Sequence, residues 1–85
     1  MFNVKLTPKA TSDLKKLSKD FQGRIIKKLK FFSSQQDPLI FSQPLVNLPP
    51  ATHRFRVGDY RVGFYIDQNT IYVDRIGHRS EVYLH

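Results

Sequence analysis

The stretch THRFRVGDYRVGFYIDQNTIYVDRIG, residues 52–77, decides the fold of this chain. Apolar and polar residues alternate along it, and the pairs Gly58-Asp59 and Gln68-Asn69 interrupt the alternation. A two-residue period is typical of a strand with one buried face, and short polar interruptions of this kind are typical of hairpin turns. The pattern therefore predicts a three-stranded antiparallel meander. Its strands are expected over residues 52–57, 60–67 and 70–77.

Upstream of the meander, the sequence predicts a strand and a first helix. Apolar residues alternate over residues 2–6, which indicates a short strand. Thr7 and Pro8 are typical of a helix N-cap followed by proline at the first helical position. Apolar residues then recur at helical spacing as far as Leu17. We therefore expect a helix over residues 8–17, with Asp13 on its solvent-facing side.

A second helix is predicted to follow, with Asp20 as its cap and an apolar stripe that runs from Phe21 to Phe32. Residues 33–50 contain four prolines and are expected to be irregular, without a central strand. The predicted order is strand–helix–helix–strand–strand–strand. This is an α+β fold in one domain over residues 1–85, with the helical hairpin packed on one face of the sheet.

The charge of the chain points to a polyanionic partner. Its 85 residues include 14 lysines and arginines against 7 aspartates and glutamates, which gives a formal net charge of +7. Such an excess on a small surface favours nucleic acid, an acidic protein or an anionic membrane as the partner. A basic protein without any such partner is the alternative interpretation.

Several other function classes find no support in the sequence. The chain has no cysteine, which excludes disulfides and thiolate metal sites and suits a reducing cytoplasm. The histidines and carboxylates show no metal-ligand spacing, and neither a glycine-rich phosphate loop nor a nucleophile elbow occurs. No secretory signal is visible, and no apolar run is long enough to cross a bilayer. We therefore expect a cytoplasmic protein with no cofactor, no metal and no membrane partner.

The outward-facing positions of the meander gather arginines. If the apolar residues of its strands point to the core, Arg54, Arg56 and Arg61 point to the other face. They are expected around Gly63, whose missing side chain leaves space. Neighbouring strands lie about 5 Å apart, so the guanidinium groups can converge on one phosphate. The alternative is a set of solvated strand arginines, and spacing alone does not separate the two.

The residues that follow the meander add further candidates. Arg79 and Tyr83 reach the same sheet edge if the tail folds back, where Tyr83 can stack on a base or transfer a proton. His78 is a candidate acid or base, and the alternative is a turn histidine that hydrogen-bonds the backbone. His53 and His85 are weaker candidates.

Three segments of the chain resemble the RelE/ParE superfamily of toxins, and the resemblance covers almost the whole sequence. They are VKLTPKA leading into DLKKL (residues 4–10 and 13–17), RFRVGDYRV (residues 54–62) and IGHRSEVY (residues 76–83). The second and third resemble the RelE branch in particular. The resemblance implies a RelE-like toxin domain over residues 1–85 that forms the toxin half of a type II toxin–antitoxin pair.

The resemblance to the RelE branch also implies an activity and its residues. Such a toxin is a ribosome-dependent endoribonuclease that cleaves mRNA in the ribosomal A site and inhibits translation until its cognate antitoxin neutralises it. The catalytic residues of that branch correspond here to Arg54, Arg56, Arg61, Arg79 and Tyr83. The implied reaction is metal-independent attack of a ribose 2′-hydroxyl on the adjacent phosphate. Arg61 would clamp the phosphate, Arg79 would support the transition state or leaving oxygen, and Tyr83 would stack on the base and shuttle a proton.

The chain departs from the best-known members of that branch, which have lysines where it has Arg54 and Arg56. A lysine can lose its proton when buried, whereas an arginine does not. The obvious positions therefore lack a general base, and Tyr83, His78, His85 or charge stabilisation alone would have to compensate. Two alternatives remain open: a ParE-like inhibitor of DNA gyrase, and a degenerate member that only binds RNA or a partner.

Overall fold

The computed structural model describes residues 1–82 of the chain, with the side chains of residues 1–80. Strand β1 (Asn3–Leu6) is followed by helices α1 (Pro8–Lys15) and α2 (Lys19–Ser33) and by a short 3₁₀ helix (Pro38–Phe41). Four further strands and one short helix complete the order. They are β2 (Gln43–Pro44), β3 (His53–Val57), β4 (Tyr60–Asp67), β5 (Thr70–His78) and α3 (Arg79–Val82).

The strands form one five-stranded sheet in the order β1-β5-β4-β3-β2. Strands β3, β4 and β5 pair antiparallel as a meander, and β1 pairs parallel to β5. The parallel pair is possible because the helical hairpin carries the chain from β1 back across the sheet. The predicted α+β fold, with strand, two helices and antiparallel meander, is confirmed. The proline-containing β2 lies at the sheet edge, where a missing backbone donor is tolerated.

The hydrophobic core lies between the helices and one face of the sheet. Three phenylalanine rings stack through it, with 3.6 Å between the ring centroids of Phe32 and Phe55 and 4.1 Å between those of Phe55 and Phe64. Burying rings of this size removes a large apolar area from water. Because α1 and α2 both contribute to this core, the opposite sheet face carries no part of the hairpin. The buried helix residues of the cluster are Ala10, Ile25, Leu29 and Phe32.

The two helix boundaries at the turn of the hairpin differ from the predicted ones. Helix α1 ends at Lys15, and α2 begins at Lys19 with Ser18, not Asp20, as its N-cap. The Ser18 hydroxyl accepts a hydrogen bond from the backbone N–H of Phe21 at 3.3 Å. Asp20 lies in the first turn, where its charge favours the helix dipole without capping it. Among the described residues, no helix is long and apolar enough to cross a membrane.

Asp13 does not lie on the solvent-facing side of α1, as the sequence predicts. Its side chain is 13% exposed, and Oδ2 accepts a hydrogen bond from the backbone N–H of Ile76 at 3.0 Å. The pairing of β1 with β5 ends at Leu6 and Val73, so β5 continues beyond the last residue of β1. A carboxylate from α1 therefore takes the place that a strand carbonyl would occupy, and it fixes the end of β5 against the helix.

Candidate functional site

The sheet face opposite the hairpin carries a set of arginines. Arg56 lies directly opposite Arg61 in the β3–β4 pair, and Arg54 lies opposite Gly63. Residues directly opposite each other in an antiparallel pair point to the same side of the sheet. The structure therefore brings the three predicted arginines together on this face.

Arg75 is a fourth member of this surface, and the sequence analysis missed it. Gly63 pairs with Arg75 of β5, and the register then shifts so that Phe64 pairs with Val73. The shift leaves Asp74 as an extra residue, which breaks the alternation of β5 and hides the direction of Arg75 in the sequence. We call the surface formed by Arg54, Arg56, Arg61 and Arg75 the arginine face.

The space above Gly63 is not open, contrary to the sequence-based expectation. A Cβ added to Gly63 would lie 2.9 Å from Cγ of Arg75 and 3.4 Å from Cβ of Ala51. Glycine is required at this position because the stem of Arg75 crosses it. The arginine also forms a salt bridge, with 3.0 Å between its Nε and Oδ2 of Asp74. The missing side chain thus makes room for another cation of the arginine face.

The arginines differ in exposure and in partners. Arg61 is only 5% exposed, and its Nη1 donates to the carbonyls of Gly58 and Tyr60 at 2.9 and 3.1 Å. Arg54 is half-buried, and its Nη2 donates to Oε1 of Gln43 at 2.6 Å. Arg56 is exposed. Arg56 therefore presents its charge at the surface, while Arg61 holds its charge at a site of low dielectric constant.

Arg79 begins α3 and is tied to the turn between β3 and β4. Its backbone N–H donates to the carbonyl of Asp59 at 2.8 Å, next to the Gly58 carbonyl that accepts from Arg61. Helix α3 contacts both β4 and β5. The same turn thus holds the start of α3 and the guanidinium of Arg61. Tyr83 and His85 lie outside the described residues.

The structure does not bring His78 to the arginine face. His78 pairs with Tyr60, and Tyr60 also pairs with Val57 of the core. The Tyr60 ring contacts Phe21 of α2 at 4.8 Å, so these paired side chains lie on the helix side of the sheet. The Nδ1 atom of His78 accepts a hydrogen bond from the backbone N–H of Ser80 at 3.3 Å. This contact fits the alternative interpretation, a turn histidine bonded to the backbone.

A second cationic feature lies beside Arg56 at the edge of β3. It is a groove of about 460 Å³ between that strand and α2. Exposed hydrophobic side chains, including Phe31 and Phe41 with 5.2 Å between their ring centroids, continue the surface beyond the groove. The groove is lined by Arg24, Lys27, Lys28, Phe31, Arg56, Val57 and Gly58.

The arrangement suits binding and stabilisation of phosphate. Guanidinium groups match the geometry of phosphate oxygens and keep their charge, so several of them on one face can balance an anion that gains charge during a reaction. Among residues 1–80, the histidine and carboxylate side chains form no group of three that could hold a metal ion. The chemistry available on the described surface is that of fixed cations.

Comparisons with known proteins agree with this fold. A family model described as ParE toxin of type II toxin-antitoxin system, parDE, matches residues 4–83. A chain of the RelBE2 toxin–antitoxin complex from Mycobacterium tuberculosis is 29% identical, with a TM-score of 0.73 over 92% of this chain and 98% of that one. No curated protein matches the sequence.

Two more distant solved structures share the fold alone. A chain of the archaeal RelE–RelB complex from Pyrococcus horikoshii is 22% identical, with a TM-score of 0.72 over 92% of this chain and 94% of that one. A chain of the chromosomal ParDE system from Pseudomonas aeruginosa is 17% identical, with a TM-score of 0.68 over 92% and 96% of the two chains. Structures described as RelE and as ParDE are therefore both similar to this chain.

Proposed function

The chain belongs to the family of ParE toxins of type II toxin–antitoxin systems, and on that premise we propose that it is a ribosome-dependent endoribonuclease that cleaves mRNA. The observation that carries this proposal is the arginine face, where four arginines from three adjacent strands share one side of the sheet. Like charges on neighbouring strands destabilise a sheet. Their presence here is explained if an anion binds between them.

The proposed reaction uses the nucleophile of the RNA itself. The 2′-oxygen forms a bond to the adjacent phosphorus, the bond from phosphorus to the 5′-oxygen breaks, and the products are a 2′,3′-cyclic phosphate and a 5′-hydroxyl. The 2′-hydroxyl gives up its proton, and the leaving 5′-oxygen gains one. Cations balance the charge that develops on the phosphate oxygens in the transition state. DNA lacks the 2′-hydroxyl and would bind without being cut.

Each arginine that the sequence analysis singled out has a proposed role that follows from its position. Arg56 is exposed and makes the first contact with the phosphate, with Arg54 beside it on the same strand. Arg61 lies directly opposite Arg56 and completes the phosphate clamp. Arg79 supports the leaving oxygen from the start of α3, and Tyr83 stacks on the base and shuttles the proton. None of the arginines acts as a general base, so charge stabilisation carries the catalysis and the enzyme is slow.

An acidic antitoxin is the proposed regulator of this activity. The groove between α2 and β3 is rich in cations, and Arg56 belongs both to its lining and to the arginine face. Exposed apolar side chains lie next to it, among them Phe41, whose ring centroid is 5.2 Å from that of Phe31 in the groove lining. Acidic residues complement the groove and apolar residues complement the patch. A segment bound there would also cover Arg56.

Inhibition of DNA gyrase is the second candidate, and the family model that matches the chain favours it. A gyrase inhibitor acts by binding and needs no convergence of cations. The two candidates are separated by inducible expression of the chain, followed by mapping of RNA ends and by a supercoiling assay with purified gyrase. New mRNA ends at ribosome-bound sites that disappear in Arg61→Ala support the endoribonuclease. Loss of DNA supercoiling by gyrase, while the mRNA stays intact, contradicts the proposed endoribonuclease.

A further inference from the structure

A stacked pair of tyrosines occupies the same sheet face as the arginines. Tyr65 of β4 lies directly opposite Tyr72 of β5, with 5.1 Å between ring centroids and 16° between ring planes. Tyr65 follows Gly63 by two residues on β4, so the two residues point to the same side of the sheet. Both tyrosines are half-buried, and neither belongs to the hydrophobic core.

A lysine extends this aromatic row on the neighbouring strand. Lys5 of β1 is paired with Tyr72 in the parallel ladder, and its side chain is exposed. The row formed by Lys5, Tyr72 and Tyr65 therefore crosses three adjacent strands of the sheet. The next row along the sheet contains Arg75, Gly63 and Arg54. Two residues along a strand advance about 7 Å, so the aromatic row and the arginines are near neighbours.

We propose that Tyr65 and Tyr72, together with Lys5, form a base-stacking subsite for the single-stranded RNA that flanks the phosphate held by the arginines. Aromatic side chains on the open face of a sheet are a common platform for unpaired bases, because every base has a π-face that an aromatic ring can stack on. A lysine beside the rings is placed to hold the backbone of the stacked nucleotide.

RNA explains this surface better than sheet stability does. A cross-strand aromatic pair stabilises a sheet only modestly, and that role requires neither a cation in the same row nor arginines in the next row. Rings with cations at both sides are the combination that single-stranded nucleic acid binds. The subsite rests on the proposed function, since it orders the RNA on both sides of the cleaved linkage.

Binding of an RNA that cannot be cleaved tests the subsite. The probe is a fluorescein-labelled oligouridine of about 12 nucleotides with methylated 2′-hydroxyls, bound to the full chain and followed by anisotropy. Tyr72→Leu and Tyr65→Leu remove the rings, whereas Tyr72→Phe keeps the π-face. Phe21→Leu removes a half-buried ring of α2 on the helix side and serves as the matched control.

We expect each tyrosine-to-leucine variant to lower the affinity about tenfold, while Tyr72→Phe and Phe21→Leu bind like the unmodified chain. Unfolding in urea identifies any leucine variant that fails to fold. If a leucine variant fails, crosslinking of iodouridine-containing RNA to residue 72 is compared between the unmodified chain and Tyr72→Phe. Folded leucine variants that bind normally, or an unmodified chain that neither binds nor crosslinks the probe, overturn the subsite. RNA binding without cleavage on ribosomes overturns the proposed endoribonuclease and leaves the subsite intact.

Discussion

Arg61 and Arg79 are held by consecutive carbonyl groups of one turn. The guanidinium of Arg61 donates to the Gly58 carbonyl at 2.9 Å, and the backbone N–H of Arg79 donates to the Asp59 carbonyl at 2.8 Å. Two residues that the sequence places in separate segments are thus positioned by the same two-residue connection. The geometry of that turn sets where α3 begins relative to the arginine face.

Substitution of Gly58 is expected to distort this turn. Gly58 has a φ of 61°, a conformation that costs other residues about 1–2 kcal/mol. An added Cβ would also lie 3.2 Å from Nη2 of Arg24. We predict that Gly58→Ala lowers the free energy of unfolding in urea by about 1–2 kcal/mol.

Gly23 provides the matched control for the Gly58 substitution. It lies within α2, and an added Cβ meets no atom within 4 Å. Alanine is a better helix former than glycine, so Gly23→Ala is expected to raise the free energy of unfolding by about 1 kcal/mol. Equal effects of the two substitutions would contradict the strained turn.

Loss of the Asp13 carboxylate is expected to weaken the end of β5. The backbone N–H of Ile76 would lose its acceptor, and an unsatisfied buried donor costs about 1–3 kcal/mol. Asp13→Ala should therefore destabilise the chain by this amount, and Asp13→Asn should cost less because an amide oxygen still accepts. Asp67→Ala, at an exposed position, is the control. A stability of Asp13→Ala equal to that of the control would show that the hydrogen bond contributes nothing.

His78 is expected to act as the N-cap of α3 and to position Arg79, without transferring protons. The backbone N–H of Ser80 is only a donor, so Nδ1 of His78 must be unprotonated to accept from it. Loss of an N-cap costs about 1 kcal/mol, and asparagine is a good replacement. We predict that His78→Ala slows RNA cleavage and accelerates amide exchange at Ser80, whereas His78→Asn restores both.

The asparagine variant separates this capping role from acid–base chemistry. The amide oxygen of asparagine accepts a hydrogen bond as Nδ1 of His78 does, but an amide does not transfer protons as an imidazole can. A His78→Asn variant as inactive as His78→Ala would assign the proton transfer to His78.

The salt dependence of RNA binding reports on contacts with phosphate. Each lysine or arginine that neutralises a phosphate releases counterions, so losing one lowers the slope of log affinity against log salt by about 1. We predict this change for Arg56→Ala, measured by anisotropy with uncleavable RNA. Lys30→Ala removes the same charge from an exposed position on α2 and should leave the slope unchanged. Equal slopes for both variants would place the RNA elsewhere.

The fold could be predicted because its apolar periodicity is nearly unbroken. The strand over Tyr60–Asp67 has the predicted bounds, since its alternation continues between two turn signals. The arginines of β3 and β4 were found for the same reason. The prediction failed where a tertiary contact replaced the local pattern. Asp74 is the extra residue at the register shift, so the alternation of β5 does not reveal the direction of Arg75. The helical pattern places Asp13 on the solvent side, and only the position of Ile76 at the end of β5 shows that its carboxylate accepts a hydrogen bond.

The position of His78 shows a further limit of sequence reasoning. It is adjacent to Arg79 along the chain, which suggested a shared site, but β5 ends at His78 and α3 begins at Arg79, so adjacency does not place the two side chains on one face. The pairing with Tyr60 decides the face, and that pairing depends on the register of the whole meander. By contrast, the pairing of Tyr65 with Tyr72 lies on the turn side of the register shift, and the two-residue turn at Gln68-Asn69 alone sets it.

The most direct test of the proposed endoribonuclease is the rate of mRNA cleavage on ribosomes by Arg56→Ala compared with Lys30→Ala. Both variants lose one positive charge at an exposed position, but only Arg56 belongs to the arginine face. Removing one donor to a developing oxyanion typically slows catalysis by a factor of about 100 to 1,000. We predict a loss of that size for Arg56→Ala and an unchanged rate for Lys30→Ala. Equal rates for the two variants and the unmodified chain would contradict catalysis by the arginine face.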